Sequence, residues 1–386
     1  MNERIKNADS RRVAFAKGIR SRWDELSKPV RLLFGLALLI FLIYLPFLNL
    51  LPFAYLRTDL TSGGTDWPSV LFITTVYVII AVGLNVVIGL AGLLDLGYVG
   101  FFAIGAYSVA LFGSPSSPVT NWIAERYDLS EDWAIGFAVC IPIAIALTMI
   151  SGVILGAPTL RLRGDYLAIV TMGFGEIIRI VLRNSPSVTG GPSGVSNIPK
   201  PPGPESADGR PFFNVLDIHR WYWLALAVAL ILIWAVRRLE DSRVGRSWLA
   251  IREDEDAAGI MGVAAFKFKL WAFAIGAALG GISGALFASR QSYIDPGNFQ
   301  LNLSFLFVAM VVIGGSGNML GAVVGAVLLT YLPERFREFE EWRPFAFGLA
   351  MVAVMVLRPQ GLVPNRRRAR ELTDREMEAK EASANV

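Results

Sequence analysis

Apolar residues in this chain come in long uninterrupted runs, not in the alternation of a sheet face or the stripe of a soluble helix. Leu32 to Leu51, Ser69 to about Gly89, Trp133 to about Ala157, Trp221 to Val236, Leu270 to Ala288, Leu303 to Leu332 and Pro344 to Leu357 are each dominated by Leu, Ile, Val, Phe and Ala. Roughly 20 such residues cross a hydrocarbon core about 30 Å thick as a helix. Inside that core every backbone N–H and C=O must be paired within its own segment. The pattern predicts an all-α fold, a polytopic transmembrane helical bundle. Another apolar segment ends near Phe112 after the Gly-rich stretch Gly89–Tyr107. Asp165 to Leu182 is a weaker span because it holds Glu176 and Arg179.

The polar stretches orient these runs. Residues 1–31 carry nine Lys or Arg from Arg4 to Arg31, and the run that follows has no small-residue cleavage site, so it is expected to be a retained first span. Residues 237–269 form the longest segment of mixed charge without a span, entered through Arg237, Arg238, Arg243, Arg246 and Arg252; the basic tail Arg358–Arg370 follows the last apolar run. Lys and Arg accumulate on the cytoplasmic side, so 1–31, 237–269 and the tail are expected there. Both termini inside require an even number of crossings. About ten result if the run broken at Gly314–Asn318 counts as two short spans, with a re-entrant pair as the alternative. The Pro-, Gly- and Ser-rich stretch from Asn184 to about Pro211 is expected to be an external loop without regular elements. The expected domains are a cytoplasmic basic segment 1–31, a transmembrane domain 32–365 that includes the cytoplasmic segment 237–269, and a disordered tail 366–386.

Composition agrees: 54% of residues are hydrophobic and 18% charged, against about a quarter charged in soluble domains. With one cysteine, Cys140, and one histidine, His219, the chain has no internal disulfide and no His- or Cys-based metal cluster or triad. No metal site, no catalytic residue and no nucleic-acid partner are expected. Nor is there a G-x-x-x-x-G-K-[ST] phosphate loop, so this chain cannot supply its own ATP hydrolysis.

Three features carry candidate chemistry. Glycines crowd Gly89–Gly105, Gly276–Gly284 and Gly314–Gly325, where they either let helices approach closely or mark interrupted helices along a translocation path. Asp95, Glu176 and Arg179 lie at membrane depth, where a charge normally faces a cavity or a partner. Glu176 and Arg179, three residues apart, either neutralise each other or serve a pathway; Asp95 is read as a helix cap. The candidate path residues are Asn85, Tyr98, Phe102 and Glu176. Third, Asp254–Gly262 reads as a short amphipathic helix on the membrane face, which alone is also what a solvated connector looks like.

Asp256-Ala257-Ala258, then three residues and Gly262, resembles the E-A-A-x-x-x-G loop of ATP-binding-cassette importer permeases. The position after nine intervening residues is Ala272 and no Leu-Pro follows, a departure from the type I pattern. Further blocks resemble the permease pair that imports branched-chain amino acids: Gly83–Tyr107, Leu162–Thr171, Thr189–Val195, Gly245–Gly262, Tyr293–Phe299, Val312–Ala326 and Arg358–Leu362. The length and the L-R-G-D-Y block resemble the M-type subunit. The resemblance implies a complex in the bacterial inner membrane, with lipid around it, a second, H-type permease, two cytoplasmic ATPases and an extracytoplasmic substrate-binding protein. It implies that this chain holds no cofactor, ATP and Mg²⁺ being bound by the ATPases. It also implies that Glu255, Asp256, Ala257, Ala258 and Gly262, flanked by Arg246 and Arg252, contact an ATPase. A urea or short-chain amide permease is built on similar blocks. A secondary transporter using Glu176 as an ion site would leave 245–262 without a task, and an intramembrane enzyme lacks paired carboxylates or a set nucleophile.

Overall fold

The computed structural model describes residues 28–50, 67–130, 133–162, 164–204, 212–214, 217–335, 345, 348–349, 352 and 361–363. The chain divides into two units, Met1–Leu60 and Thr61–Val386. In the first, α1 (Lys28–Tyr44) runs on as a 3₁₀ turn, Leu45–Leu50. Leu33, Phe34, Leu36, Leu38, Ile40 and Phe41 are all exposed in it. Apolar on every side, it suits lipid rather than water.

The second unit begins with α2 (Trp67–Leu84), whose last turn widens into a π-helical turn at Asn85–Leu90. Its run of Val, Ile and Thr would favour a strand in water. In hydrocarbon the demand for internal backbone pairing overrides that preference, and the Thr74 and Thr75 hydroxyls donate to carbonyls four residues back (2.7 and 2.8 Å). There follow α3 (Val99–Gly113), α4 (Pro118–Tyr127), α5 (Phe137–Thr159), α6 (Asp165–Asn184) and the single turn α7 (Pro186–Thr189). Then come α8 (Ile218–Glu240), α9 (Arg243–Glu253), α10 (Glu255–Ile260), α11 (Ala265–Gln291), α12 (Leu301–Gly314) and α13 (Met319–Arg335).

The centre is α11, packed chiefly against α3 and α5 and also against α2; α2 is flanked in turn by α8 and α13. α5 and α8 turn apolar faces outward, with Ile150, Ile154, Ile231 and Trp234 exposed. α12 and α13 fold back on each other, Gly325 lying against the Met310 carbonyl and Gly321 against Gly314. Each is short: the 14 residues of α12 reach only about 21 Å at 1.5 Å per residue.

Five helices among the described residues are long and apolar enough to cross a membrane: α2 with its π turn, α3 with α4, α5, α8 and α11. Leu33–Phe47, Leu301–Gly314 and Met319–Tyr331 are shorter apolar helices. α6 forms where the weaker span was expected but is amphipathic. Most of the expected span at 344–357, nearly all of the basic segment 1–31 and the tail 366–386 lie outside the described residues. The expectation that 184–211 lacks regular elements is corrected. α7, a 3₁₀ turn at Gly191–Ser193 and strand β1 (Val195–Ser196) form there. β1 pairs antiparallel with β2 (Tyr293–Ile294), Val195 opposite Ile294. This ladder satisfies backbone groups that a bare loop would leave to water.

Candidate coupling face and interrupted-helix junction

Between α8 and α11 the chain folds into two capped helices. Ser242 opens α9, its hydroxyl accepting from the Val244 and Gly245 N–H groups (3.1 and 3.4 Å). Asp254 opens α10, its carboxylate accepting from the Asp256 and Ala257 N–H groups (both 2.9 Å); such a cap contributes about 1 kcal/mol. Two residues past the end of α10 stands Gly262, φ +88°, a backbone conformation costing an L residue roughly 1–2 kcal/mol. The inner side is anchored. Ala258 is buried, Lys269 Nζ lies 2.5 Å from Glu255 Oε2, and the buried Trp248 donates through Nε1 to the Phe268 carbonyl (2.7 Å). The outer side presents Asp256 and Ala257, and beyond them Ile260 at 87% and Met261 at 83% exposure. Covering one such apolar side chain contributes roughly 1.5–3 kcal/mol.

Of the two flanking arginines, Arg246 is exposed and donates to the Asp241 carbonyl (2.9 Å). Arg252 turns the other way and donates to the carbonyl of Gly89, inside the π turn that ends α2. Such turns interrupt regular helix hydrogen bonding and recur at functional positions. Asn85, buried at the start of this turn, accepts the Gly317 N–H through Oδ1 (2.8 Å). The break at Gly314–Asn318 is sealed from the far end of the chain. The Leu362 and Val363 N–H groups donate to the carbonyls of Ile313 (2.8 Å) and Gly314 (2.9 Å), and Asn318 Nδ2 donates to the Val363 carbonyl (3.2 Å). Four stretches singled out in the sequence, 83–107, 245–262, 312–326 and the end of 358–362, therefore meet at one junction.

From the junction the chain passes through an unwound stretch, 91–98, before α3. The Leu96 N–H donates to Thr171 Oγ1 (3.0 Å), and its carbonyl accepts from the Ser304 hydroxyl (2.5 Å). Asp95 is buried; Oδ1 accepts the Gly97 N–H (2.9 Å), while Oδ2 has no partner among the described residues. It braces the turn ahead of α3 rather than capping the helix, whose first turn has no side-chain cap. Tyr98 is buried and donates to the Gly276 carbonyl (2.7 Å). Phe102 is buried among Phe287, Phe299 and Phe307, ring centroids 5.3–5.9 Å away. Glu176 remains at the surface of α6, and both its oxygens accept from Arg179 Nε (3.1 and 3.0 Å). Among the described residues no three His, Cys, Asp or Glu gather as metal ligands.

Residues 68–358 match the family model described as branched-chain amino acid transport system / permease component. The chain belongs to that permease family. The permease is 37% identical over 381 residues to the high-affinity branched-chain amino acid transport system permease protein LivM of Escherichia coli K12, covering 92% of this chain and 81% of the relative. It is 38% identical over 352 residues to the Salmonella typhimurium protein of the same name, covering 86% and 75%. A probable LivM of Methanocaldococcus jannaschii is 26% identical over 300 residues, covering 72% and 82%. No solved structure matches the permease.

Sequence reasoning about the permease singled out the acidic and small residues of α10 and passed over Ile260 and Met261, which form its tip. Their signal was present: two large apolar side chains side by side in an otherwise charged segment. Lys269 was missed because it opens an apolar run, where a charge reads as flanking.

Proposed function

We propose that this permease is the M-type membrane subunit of an ATP-binding-cassette importer that carries leucine, isoleucine and valine across the bacterial inner membrane. Its relatives support the cargo. The single observation that carries the mechanism is the Ile260–Met261 tip, joined through Arg252 to the interrupted end of α2. A cytoplasmic ATPase receives the tip in a groove, with Glu255, Asp256, Ala257, Ala258 and Gly262 shaping the turn that presents it. Arg246 flanks that contact, and Arg252 faces the junction.

The basic flank of 237–252 supports a cytoplasmic location for this face and both termini; the β1–β2 face then lies outside, where a binding protein docks. Nucleotide-driven closure of the ATPases displaces α10. Trp248 and the Glu255–Lys269 pair make α9, α10 and the start of α11 move together, and Arg252 passes the displacement to Gly89. The π turn and residues 91–98 can take up that movement, since few regular helix hydrogen bonds there must break. Asn85, Tyr98 and Phe102 hold the path shut in the state described, through the Gly317 and Gly276 contacts and the aromatic cluster. The permease itself holds no cofactor in this scheme; ATP and Mg²⁺ stay with two ATPase subunits, and an H-type permease completes the path. A secondary transporter would leave the coupling tip idle.

Arg252→Gln shortens the side chain and removes the contact to Gly89. Leucine uptake is expected to fall about tenfold, the scale of a lost charged hydrogen bond, while ATPase still co-purifies. Uptake at the wild-type rate would contradict the linkage. Affinity purification of the tagged chain from membranes is expected to bring two ATPases and a second permease. Recovery of the chain alone would overturn the partner set.

A further inference from the structure

We propose that the Glu176–Arg179 pair on α6 is the subsite that reads the two charged ends of a zwitterionic amino acid in transit. This rests on the function proposed above and deepens it by assigning the groups that recognise the cargo. The pair sits well within the helix. Glu176 lies eleven residues from Asp165 and Arg179 five from Asn184, about 16 Å and 8 Å along the axis. Its level in the bundle is set by its neighbours, Gly175 lying against Gly97 and Val99, and Phe174 against Gly100. The pair is therefore level with the start of α3, just beyond the unwound stretch.

Among the described residues nothing covers the face that carries it. Tyr166, Ile169, Val170, Ile177, Ile180 and Val181 are exposed around it. At Gly173, one turn before Glu176, a Cβ would meet nothing within 4 Å. The side chains of Glu176 and Arg179 are 35% and 23% exposed. A charge turned to hydrocarbon at this depth is strongly unfavourable. In the proposed importer this face of α6 borders the path between this subunit and its partner permease.

The chemistry matches the cargo. Arg179 commits Nε and one N–H of Nη2 to Glu176, and its Nη1 edge has no partner among the described residues. A guanidinium edge accepts a carboxylate in bidentate fashion, and the Glu176 carboxylate keeps lone pairs for an ammonium group. An amino acid arriving beside the pair sets its ammonium on Glu176 and its carboxylate on Arg179, and its apolar side chain falls toward Gly173 and Ile177. When the subsite is empty the two residues neutralise each other, so no lone charge is left in the membrane. Exchange of one ion pair for two weaker ones gives the shallow binding that passage requires.

The complete importer in proteoliposomes, with its binding protein, provides the test. Glu176→Gln and Arg179→Gln should each lower maximal leucine uptake about tenfold or more. The charge-reversed variant E176R/R179E keeps an ion pair and should not recover uptake. Full recovery would make the pair purely structural and overturn the proposal. In an otherwise unaltered chain, the thiol of Ile177→Cys should react with a charged, membrane-impermeant reagent, the native Cys140 being buried. Leucine-loaded binding protein should slow that reaction; binding protein without leucine should not. No labelling would place this face against lipid. Slowing that follows the phosphatidylethanolamine content of the vesicles instead would assign the pair to a lipid headgroup. Either result overturns the proposal. Absence of ATP-driven leucine uptake by the unaltered importer would instead sink the proposed function.

Discussion

Replacing Gly105 with leucine is expected to remove the folded subunit from the membrane. Gly105 lies on α3 where that helix crosses α11, and a Cβ there would overlap the backbone of Gly281. From the other helix, a Cβ on Gly284 would overlap the Phe102 carbonyl and approach the Ala106 nitrogen. Both neighbours are main chain, so no side chain can rotate aside. In lipid the helices gain little from covering apolar surface, because the tails are equally apolar; close backbone approach supplies the attraction. Overpacking that displaces only side chains already costs typically 1–3 kcal/mol, and here the central helix pair must separate. The amount of subunit in the membrane fraction and the profile of the detergent-solubilised complex measure the outcome. Gly136→Ala, where a Cβ meets nothing within 4 Å, serves as the tolerant control. Wild-type yield and profile for Gly105→Leu would contradict the packing described.

The double substitution Ile260→Asp with Met261→Asp is expected to leave the subunit folded and abolish ATP-driven uptake. Both side chains point away from the chain, so the helices below lose nothing. In a docked complex, each removes roughly 1.5–3 kcal/mol of apolar burial and puts an unpaired carboxylate against the partner surface. The sum predicts a fall of about 100-fold or more in uptake and in recovered ATPase. Gly262→Asp is expected to act in the same direction, but it combines charge with strain at a left-handed residue, so the tip variant is the cleaner probe. Normal co-purification of the ATPase with the tip variant would show that docking lies elsewhere.

How far the sequence reached differs from element to element. α2, α8 and α11 were legible because length and apolar content alone identify a helix that must satisfy its own backbone in lipid. The break between α12 and α13 was legible in Gly314–Asn318, and the short helix α10 in Asp254–Gly262, though not its Asp254 cap. The widened turn at Asn85–Leu90 was not, because Asn-Val-Val-Ile-Gly-Leu has no local feature separating a π turn from ordinary helix; the bond from Asn85 to Gly317 comes from tertiary packing. The β1–β2 ladder was hidden for the same reason, its strands lying about a hundred residues apart in two loops that each look irregular. Arg252 illustrates a further limit. Its charge and position match those of Arg246, yet Arg246 is exposed and Arg252 reaches the α2 carbonyl. Only the fold separates the two.

Uptake of labelled leucine into proteoliposomes holding this chain, its partner permease and the two ATPases tests the account most directly. With binding protein outside and ATP within, accumulation is expected to require both, to respond to isoleucine and valine as competitors, and to ignore urea. Accumulation that persists without the ATPases, or that urea competes away, would contradict it.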